Sequence, residues 1–303
     1  MVRLLAEPAP GKINLCLQIT GKRADGYHEL DSIFLPIAWS DIVRIETRPS
    51  DTPRVSLRCD EAALNDSQSN LASRAASAFM REFGITAEVL VDLRKRIPTG
   101  AGLGGGSSDA GAVLRMMAAI FDVSSPAHLA AVALQLGADV PFFLDPGPAR
   151  VRGIGELIEP LTTMVRLNLV IAVPNVKVPT AKIFAALRRE DWSGPVADSK
   201  IPPILSGKIS ATQVINDLAK PAMRLFPDIA RLKALLEEEG ARVAAMSGSG
   251  GAVFGLYDDG PSAEAAALRI RARAPDALVR SVVTTSLAEL TIPLFPPGPL
   301  SSC

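Results

Sequence analysis

The chain has 303 residues, which is enough for two domains of ordinary size with a substantial hydrophobic core. Hydrophobic residues make up 48% of the chain and charged residues 21%, a composition that excludes a largely disordered protein. The 32 basic residues balance the 32 acidic residues, so a phosphate-bearing ligand must be held by local groups. Broad nucleic-acid binding is therefore disfavoured.

Targeting signals and metal-ligand patterns are missing from the sequence. It has no apolar run of about eighteen residues and no signal peptide, which predicts a cytoplasmic protein without membrane contacts. Its cysteines, Cys16, Cys59 and Cys303, lack C-x-x-C spacing, which disfavours a disulfide framework or a thiolate metal site. His28 and His128 are the only histidines, so no metal site is predicted from protein side chains.

The first hundred residues predict mainly strands and turns. Strands are expected at residues 13–19, 27–37 and 41–47, with a turn at 21–26. Asn70 precedes helix-forming residues that continue to Gly84, and alternating residues from 87 predict a strand that ends at Pro98. This half of the chain is therefore expected to be rich in hairpins.

A glycine cluster at 100–106 then leads into a strongly helical stretch. Ser107, Ser108 and Asp109 have side chains typical of a helix cap, so the helix is expected to begin there. A second helix is predicted from 125 to Gly137. The Gly- and Pro-rich stretch 145–156 is the predicted domain boundary, giving domains of 1–155 and 156–303.

The second half of the chain has a clear order of elements. After a strand from about residue 166 and a helix opening near Thr180, the remaining patterns run helix, strand, strand, helix, strand. This order predicts an α+β fold in which helices cover one face of an antiparallel, ferredoxin-like sheet. The tail from residue 293 is expected to be poorly ordered.

Residues 98–109 carry the most specific chemical signal. Five glycines between 100 and 106 allow backbone N–H groups to converge just before a helix N-terminus, where unpaired donors and the helix dipole stabilise phosphate. No Lys follows the glycines, which excludes a P-loop. Gly100-x-Gly102-x-x-Gly105 matches a dinucleotide fingerprint formally, but it lacks the expected βαβ setting, so a Rossmann oxidoreductase is a distant alternative.

Three motifs in chain order then point to a family. They are P-A-P-G-K-I-N-L at 8–15, I-P-T-G-A-G-L-G-G-G-S-S-D-A at 97–110 and M-S-G-S-G-G-A-V-F at 246–254. On these motifs, the chain resembles the GHMP small-molecule kinase superfamily. Residues 19–30 and 136–143 are similar to signatures of the branch that acts on 4-diphosphocytidyl-2-C-methyl-D-erythritol. Ala101 departs from the pattern, which has glycine there.

The resemblance implies a two-domain fold, an ATP-binding domain of the ribosomal-protein-S5-like type and a ferredoxin-like second domain, with ATP and Mg²⁺ as cosubstrates. It implies transfer of the γ-phosphoryl group to the 2-hydroxyl of the cytidyl substrate, in non-mevalonate isoprenoid synthesis. The implied nucleotide contacts are Pro98, Gly100, Gly102, Leu103, Gly104, Gly105, Gly106, Ser107 and Ser108, together with Asn70 and Lys95.

By the same resemblance, Asp139 is the catalytic aspartate and Lys12 the active-site lysine. Phosphoryl transfer needs such a pair to orient the acceptor proton and to neutralise charge. Lys12 would also weaken Asp139 as a base, so whether Asp139 removes the proton or only orients the hydroxyl is left open.

The remaining implied contacts are with the acceptor substrate. Tyr27 and Phe184 would enclose cytosine and His28 would bind its polar edge, because the base offers both stacking faces and hydrogen-bonding groups. The other implied substrate residues are Asn14, Phe34, Thr180, Gly248 and Ser249. His128 is expected to be structural.

Two other functions stay open at this point. One is a GHMP kinase for a different alcohol, of the mevalonate or homoserine type. The other is a nucleotide-binding regulator without catalysis, which the presence of Lys12 and Asp139 disfavours. The expected partner is a small-molecule substrate, and the expected state is a monomer or a weak homodimer.

Overall fold

A computed structural model describes residues 2–162, 166–198, 201, 204 and 206–290, and within them two sheets. The first sheet contains β1 (Arg3–Lys22), β2 (His28–Pro49), β3 (Arg54–Cys59), β4 (Ala87–Arg94), β5 (Ala149–Gly153) and β6 (Leu157–Pro160). Its strand order is β3-β4-β2-β5-β6, and β1 pairs with β2. Helices α1 (Leu71–Glu82), α2 (Gly105–Phe121) and α3 (Pro126–Leu136) belong to the same half of the chain.

Strands β1 and β2 form one long antiparallel hairpin, so the two returning strands predicted separately are continuous. The register shifts between Pro10 and Lys12 and again between Asn14 and Cys16. Such irregularities redirect side chains, and these two flank Lys12 and Asn14. The strand pairing is therefore irregular on both sides of these two predicted site residues.

Strand β3 was not predicted. It pairs in parallel with β4, and helix α1 lies in the connection between the two strands. The helix begins as expected: the side chain of Asn70 accepts a hydrogen bond of 3.0 Å from the Ala72 N–H. Apolar residues of α1, α2 and α3 pack against β2 and β4 in one buried cluster. This core supports the start of α2, which carries the glycine motif.

Helix α2 begins earlier than expected. Gly104 is its cap residue, with a left-handed φ of 74°, and Ser107, Ser108 and Asp109 lie inside the first turns. The Ser108 N–H donates to the Gly104 carbonyl at 2.9 Å. The prediction of a serine or aspartate cap was wrong because glycine at 104 can adopt a conformation that continues directly into the helix.

The Gly-rich stretch at 145–156 is part of a hairpin. Strand β6 pairs antiparallel with β5, and Gly153 and Gly155 in the turn have φ values of 72° and 133°. The glycines therefore serve a tight turn. As a result, the first sheet continues to Pro160, beyond the predicted boundary at 155/156.

The second sheet confirms the predicted ferredoxin-like order. Its strands are β7 (Asn168–Val173), β8 (Val243–Met246), β9 (Val253–Tyr257) and β10 (Leu278–Val283), in the antiparallel order β10-β7-β9-β8. Its helices are α4 (Thr180–Ala185), α5 (Ala219–Leu225), α6 (Pro227–Glu238) and α7 (Gly260–Arg273). Helix α5 was not predicted.

Alternate residues of β7 face two different cores. Val170 and Ala172 pack with the helices of the second sheet, whereas Leu169 and Ile171 share a cluster with Ile13 and other residues of the β1–β2 hairpin. The two sheets are therefore joined by a continuous apolar layer.

Some expectations concern membrane contact, cysteine pairing and the carboxyl-terminal tail. Among the helices of the described ranges, none has the length and apolarity needed to cross a membrane. Cys16 and Cys59 are buried and not disulfide-bonded. The tail and Cys303 lie outside the described residues.

Candidate active site

A cavity of about 740 Å³ lies where the β1–β2 turn, the start of α2 and the start of α4 meet. Eleven of the predicted site residues line it, from both halves of the chain: Lys12, Asn14, Tyr27, His28, Phe34, Ser107, Asp139, Thr180, Phe184, Gly248 and Ser249. Residues more than two hundred positions apart therefore line one cavity. A cavity of this size suits a small-molecule ligand.

Lys12 is buried at one side of the cavity, with 3% of its surface exposed. Its Nζ lies 3.4 Å from Oδ2 of Asp139, donates to Oδ1 of Asn14 at 2.6 Å and sits 4.5 Å from the centroid of the Phe34 ring. A buried ammonium group needs such partners to offset its lost hydration. These contacts hold the positive charge at a fixed point.

Asn14 is itself held in place. Its side-chain amide donates to Oγ of Ser32 at 2.9 Å, and its backbone N–H donates to Oγ of Ser247 at 3.2 Å. The bond to Ser32 fixes the orientation of the amide, so the Asn14 oxygen faces Lys12. Asn14, which lies next to an irregularity of β1, therefore positions the ammonium group of Lys12.

Asp139 lies in the turn between α3 and the 3-10 helix Pro141–Leu144. The Val140 N–H donates to the Gly137 carbonyl at 3.1 Å, which closes this turn. About a third of the Asp139 side chain is exposed. The carboxylate is thus paired with Lys12 on one side and open to the cavity on the other.

Two glycine-rich loops meet beside this ion pair: the first glycine loop (residues 98–106) and the second glycine loop (residues 247–251). A Cβ on Gly102 would lie 2.4 Å from the Ser247 carbonyl oxygen, and a Cβ on Gly250 would lie 2.2 Å from the Ala101 carbonyl carbon. The two backbones therefore touch at positions that only glycine permits. Ala101 fits because its side chain packs in the apolar layer between the sheets.

Gly104 joins the first glycine loop to α2 and to the ion pair. A Cβ there would lie 2.8 Å from Cζ of Phe143 and 3.3 Å from Cε of Lys12. The carbonyl of Leu103 accepts a hydrogen bond of 2.8 Å from the Lys12 N–H. The helix N-terminus and the lysine are therefore fixed relative to each other, with Ser107 facing the cavity.

A buried ionic cluster lies beneath the first glycine loop. The Lys95 ammonium pairs with Asp41 and, at 2.6 Å, with Asp109. Burial alone would lower the pKa of Lys95, but the two carboxylates raise it, whereas burial raises the pKa of Asp109 to about 7. Asp41 also accepts hydrogen bonds from the Arg96 and Ile97 N–H groups. The cluster ties the end of β4 to α2.

Aromatic groups line the opposite side of the cavity. The imidazole of His28 stacks on Phe184, with ring centroids 5.3 Å apart and planes at 28°. Burial, followed by the charge of Lys22, lowers the pKa of His28 below its usual 6.5. Tyr27 lines the same cavity and is 62% exposed. A neutral histidine, with one donor and one acceptor, therefore lies against the ring of Phe184.

The second glycine loop is attached to α4 and to the segment that precedes α5. The hydroxyl groups of Thr180 and Ser249 lie 2.9 Å apart, which joins two of the predicted substrate residues. The Asn216 side chain donates to the carbonyls of Met246 and Gly248 at 2.8 Å and 2.9 Å. The loop is thereby held over the cavity.

Comparison with known proteins shows which family the chain belongs to. The model of the GHMP kinases N terminal domain matches residues 70–147, and that of the GHMP kinases C terminal domain matches residues 206–276. The chain is 41% identical over 271 residues to 4-diphosphocytidyl-2-C-methyl-D-erythritol kinase of Anaeromyxobacter dehalogenans, covering 88% of this chain and 85% of the relative. The chain belongs to the GHMP kinase family.

Solved structures agree with this assignment. A crystal structure of 4-(cytidine 5'-diphospho)-2C-methyl-D-erythritol kinase superposes with a TM-score of 0.78 at 35% identity, covering 93% of this chain and all of that one. Homoserine kinase from Cytophaga hutchinsonii superposes with a TM-score of 0.71 at 18% identity, over 93% of this chain and 95% of that one, which shows a common fold. The predicted two-domain GHMP kinase fold is confirmed.

Not every predicted site residue of this GHMP kinase reaches the cavity. Ser108 is fully buried, and its hydroxyl has no hydrogen-bond partner among the described residues. Asn70 caps α1 and donates to the Leu64 carbonyl, while the Lys95 ammonium is engaged by its two carboxylates. Neither Asn70 nor Lys95 lines the cavity. The same holds for Pro98, Leu103 and the glycines of 100–106, so the nucleotide contacts of all these residues stay a prediction.

Several cavity residues were not predicted. Lys22 and Asp25 flank the β1–β2 turn, Leu30 follows it, and Leu218 comes from the start of α5. The first three lie inside the motif at 19–30, whose polar turn was a usable signal. Asn216 and Leu218 follow a connection without any pattern, so no signal in the sequence pointed to them.

Proposed function

We propose that this GHMP kinase transfers the γ-phosphoryl group of ATP to the 2-hydroxyl of 4-diphosphocytidyl-2-C-methyl-D-erythritol. One observation carries the proposal: a single cavity holds the Lys12–Asp139 pair beside the start of α2, and aromatic groups on its other side. The name of the relatives and of the structural neighbour supplies the substrate. Phosphate chemistry and base recognition would thus occur in one space.

The start of α2 suits the phosphates of ATP. Gly104, Gly105 and Gly106 carry no side chains that would cover the first N–H groups of the helix, which would then be free to bind an anion. The helix dipole favours negative charge at the same point. This local arrangement meets the requirement set by a chain with no net charge.

Lys12 and Asp139 would act on the transferring group. The acceptor oxygen attacks the γ-phosphorus, the bond from that phosphorus to the β–γ bridging oxygen breaks, and ADP leaves with the bridging oxygen. Asp139 accepts or orients the acceptor proton, and Lys12 neutralises charge on the equatorial oxygens. The 3.4 Å separation of the two groups lets both reach one reacting centre.

The chain also offers a ligand for Mg²⁺. Ser107 lines the cavity in the first turn of α2, and a hydroxyl oxygen is the kind of hard ligand that Mg²⁺ accepts alongside phosphate oxygens and water. When bound, the ion would neutralise phosphate charge. Ser107 is therefore the proposed protein contact of the metal-nucleotide complex.

The aromatic side of the cavity would bind the cytidyl group. Tyr27 and Phe184 offer ring faces for the base, and His28 offers a donor and an acceptor for its polar edge. Asn14, Thr180 and Ser249 would then meet the diphosphate and the sugar alcohol between the base and Asp139. The substrate would span the cavity from its aromatic side to the ion pair.

The proposal includes a cytoplasmic location, because ATP and a phosphorylated sugar alcohol are water-soluble metabolites. Both glycine loops and the ion pair come from one chain, so a monomer or a weak homodimer would contain a complete site.

The test is a substrate panel. Purified protein is incubated with Mg-ATP and the cytidyl substrate, mevalonate or homoserine, and ADP release is followed together with ³¹P NMR of the product. We expect turnover with the cytidyl compound and a new phosphomonoester at its 2-position. Turnover of another alcohol instead, or of none, would overturn the proposed substrate.

Asp139 provides a second test. We expect Asp139→Asn to lower kcat by about 10² to 10⁴ while retaining ATP affinity, the range typical of losing a positioned acid–base group. Asp145, an acid that does not line the cavity, supplies the matched control Asp145→Asn, which should retain kcat. Near-normal turnover by Asp139→Asn would remove Asp139 from the chemistry.

A further inference from the structure

Trp192 contacts the histidine of the base-binding side but does not line the cavity. Its ring is perpendicular to that of His28, at 81°, with centroids 5.8 Å apart. His28 is therefore held between two aromatic groups, the face of Phe184 and the ring of Trp192. Nothing in the sequence motifs pointed to Trp192, which lies in the connection between α4 and α5.

The segment that carries Trp192 is anchored to β1. Asp217, which is 4% exposed, accepts hydrogen bonds from the Ser193 N–H at 2.9 Å and the Ser193 hydroxyl at 2.5 Å. The same carboxylate accepts the Ile19 N–H at 2.7 Å. A buried carboxylate with three donors is a strong and directional anchor. The residue after Trp192 is thus fixed to the strand that leads into the β1–β2 turn.

A second buried carboxylate holds the segment a few residues later. Asp31 accepts the Val196 N–H at 3.0 Å and pairs with Arg150 through two hydrogen bonds of 2.9 Å and 2.7 Å. Arg150 donates in turn to the Val196 carbonyl at 2.9 Å. Residues 192–196, here the anchored segment, are therefore tied to β1, β2 and β5 of the first sheet.

The Trp192 ring is fixed by packing rather than by hydrogen bonding. The Arg189 guanidinium lies 4.1 Å from its centroid, and its indole N–H is buried without a hydrogen-bond partner among the described residues. Its contribution at this position therefore comes from ring shape and ring contact. Phenylalanine could supply much of both.

We propose that Trp192 is a positioning residue for base recognition: it fixes the imidazole of His28 against Phe184, so that the cavity binds a cytidyl group without first ordering that ring. The proposal rests on the proposed function. A side chain held in its binding orientation costs less entropy on association than one that must be ordered. Trp192 would therefore act on substrate affinity and leave the phosphoryl-transfer step nearly unchanged.

The first experiment separates KM from kcat. In Trp192→Leu, we expect KM for the cytidyl substrate to rise about 3- to 10-fold, the range of one aromatic contact, with kcat and KM for ATP nearly unchanged. Trp192→Phe, which keeps a ring at the site, should restore most of the affinity. An unchanged KM in Trp192→Leu, or equal losses in the Leu and Phe variants, would overturn the proposal.

The chain offers a matched control and an internal probe. It has two tryptophans, and the other, Trp39, is buried in the apolar layer, donates to the Arg96 carbonyl at 2.9 Å and does not line the cavity. Trp39→Phe should keep KM for the cytidyl substrate. It also leaves Trp192 as the sole tryptophan, so fluorescence then reports on that ring alone.

The second experiment is binding without turnover. Titration of Trp39→Phe with cytidine 5′-diphosphate should change the emission of Trp192 saturably, whereas Trp192→Phe, which retains Trp39, should show little change. An unresponsive Trp192 would overturn its coupling to the base even if the leucine variant failed to fold. Lack of turnover of the cytidyl substrate by the unaltered enzyme would instead overturn the proposed function, so the two failures are distinguishable.

Discussion

At the scale of single residues, the site depends on how charged and polar side chains are held. Lys12 is almost fully buried, yet its Nζ has a carboxylate, an amide oxygen and an aromatic ring within contact distance. These groups come from three separate parts of the chain. In the proposed reaction, the positive charge of Lys12 would therefore be in place before the substrate arrives, which is the condition for effective electrostatic stabilisation.

His28 leads to a prediction about pH. Burial and then Lys22 lower its pKa below 6.5, so the ring stays neutral until the pH falls below that value. We expect kcat/KM for the cytidyl substrate to be constant as the pH falls to 6.5 and to decline below it, as the ring acquires a second donor. In Lys22→Met, the decline should begin at higher pH, because one cause of the lowered pKa is removed.

A pH–rate profile of both proteins checks this expectation. The free energy of unfolding should change with pH in the same direction. Because the pKa of His28 is lower in the folded protein than in the unfolded chain, the contribution of the neutral ring to stability is complete above pH 6.5 and is lost as the pH falls. A wild-type decline that begins well above pH 6.5, or no displacement in Lys22→Met, would contradict the assignment to His28.

At the scale of elements, the first glycine loop is a packed interface, and it is also the proposed binding surface for ATP. Gly100 and Gly104 share a φ of 74°, but only Gly104 has neighbours at the place of a Cβ. Behind the loop, the buried cluster of Lys95, Asp41 and Asp109 joins β4 to α2. The position of the N-terminus of α2 is thus fixed by the packing around Gly104 on one side and by the buried ionic cluster on the other.

The two glycines form a matched pair for mutation. Gly100→Ala should cost about 1 to 2 kcal/mol of unfolding free energy, from the left-handed backbone alone. Gly104→Ala should cost about 1 to 3 kcal/mol more, because a Cβ 2.8 Å from Phe143 forces local repacking, and it should raise KM for ATP. Urea unfolding and initial rates test this; equal destabilisation would show that the Phe143 contact is unimportant.

Lys95 gives a second prediction at this scale. Lys95→Met leaves two buried carboxylates without their cation, and we expect it to lower the free energy of unfolding by about 3 to 5 kcal/mol. The control is Lys233→Met, which removes a more exposed pair with Glu237 and should cost less than about 1 kcal/mol. Similar costs for the two variants would mean that the buried cluster contributes little.

At the scale of the whole molecule, the two sheets share one apolar layer and one cavity. Leu169 and Ile171 of β7 pack in the same cluster as Ile13 of β1, and Asp217 and Asp31 connect the second half of the chain to the hairpin. Few of these contacts would survive if one half unfolded alone. The molecule should therefore unfold as one unit.

Single-tryptophan variants test this cooperativity. Trp39 lies on β2 of the first sheet, while Trp192 packs with residues of the second sheet and its helices. We expect Trp192→Phe and Trp39→Phe, each with one tryptophan left, to show denaturation curves as steep as the circular dichroism transition of the same variant. A fluorescence transition that precedes the loss of ellipticity would show that one half unfolds independently.

Much of the fold followed from local patterns. Helices α1, α3, α6 and α7, and the strands of the second sheet, were predicted because their periodicity and end signals are strong. Strand β3 and helix α5 were missed because each is short and carries weak signals. The boundary predicted near 155 stays a prediction; the glycines and prolines on which it was based lie at a hairpin, because these residues mark a tight turn as readily as a linker.

The sequence by itself determined the family and its reaction class, because contiguous motifs at 8–15, 97–110 and 246–254 require glycine and lysine at fixed spacings. Only the tertiary structure decided that Ser107 faces the cavity, that Lys95 lies beneath the loop and that Trp192 contacts His28. These facts depend on which distant segments meet and which way each side chain turns. Such long-range packing has no local signature in the order of residues.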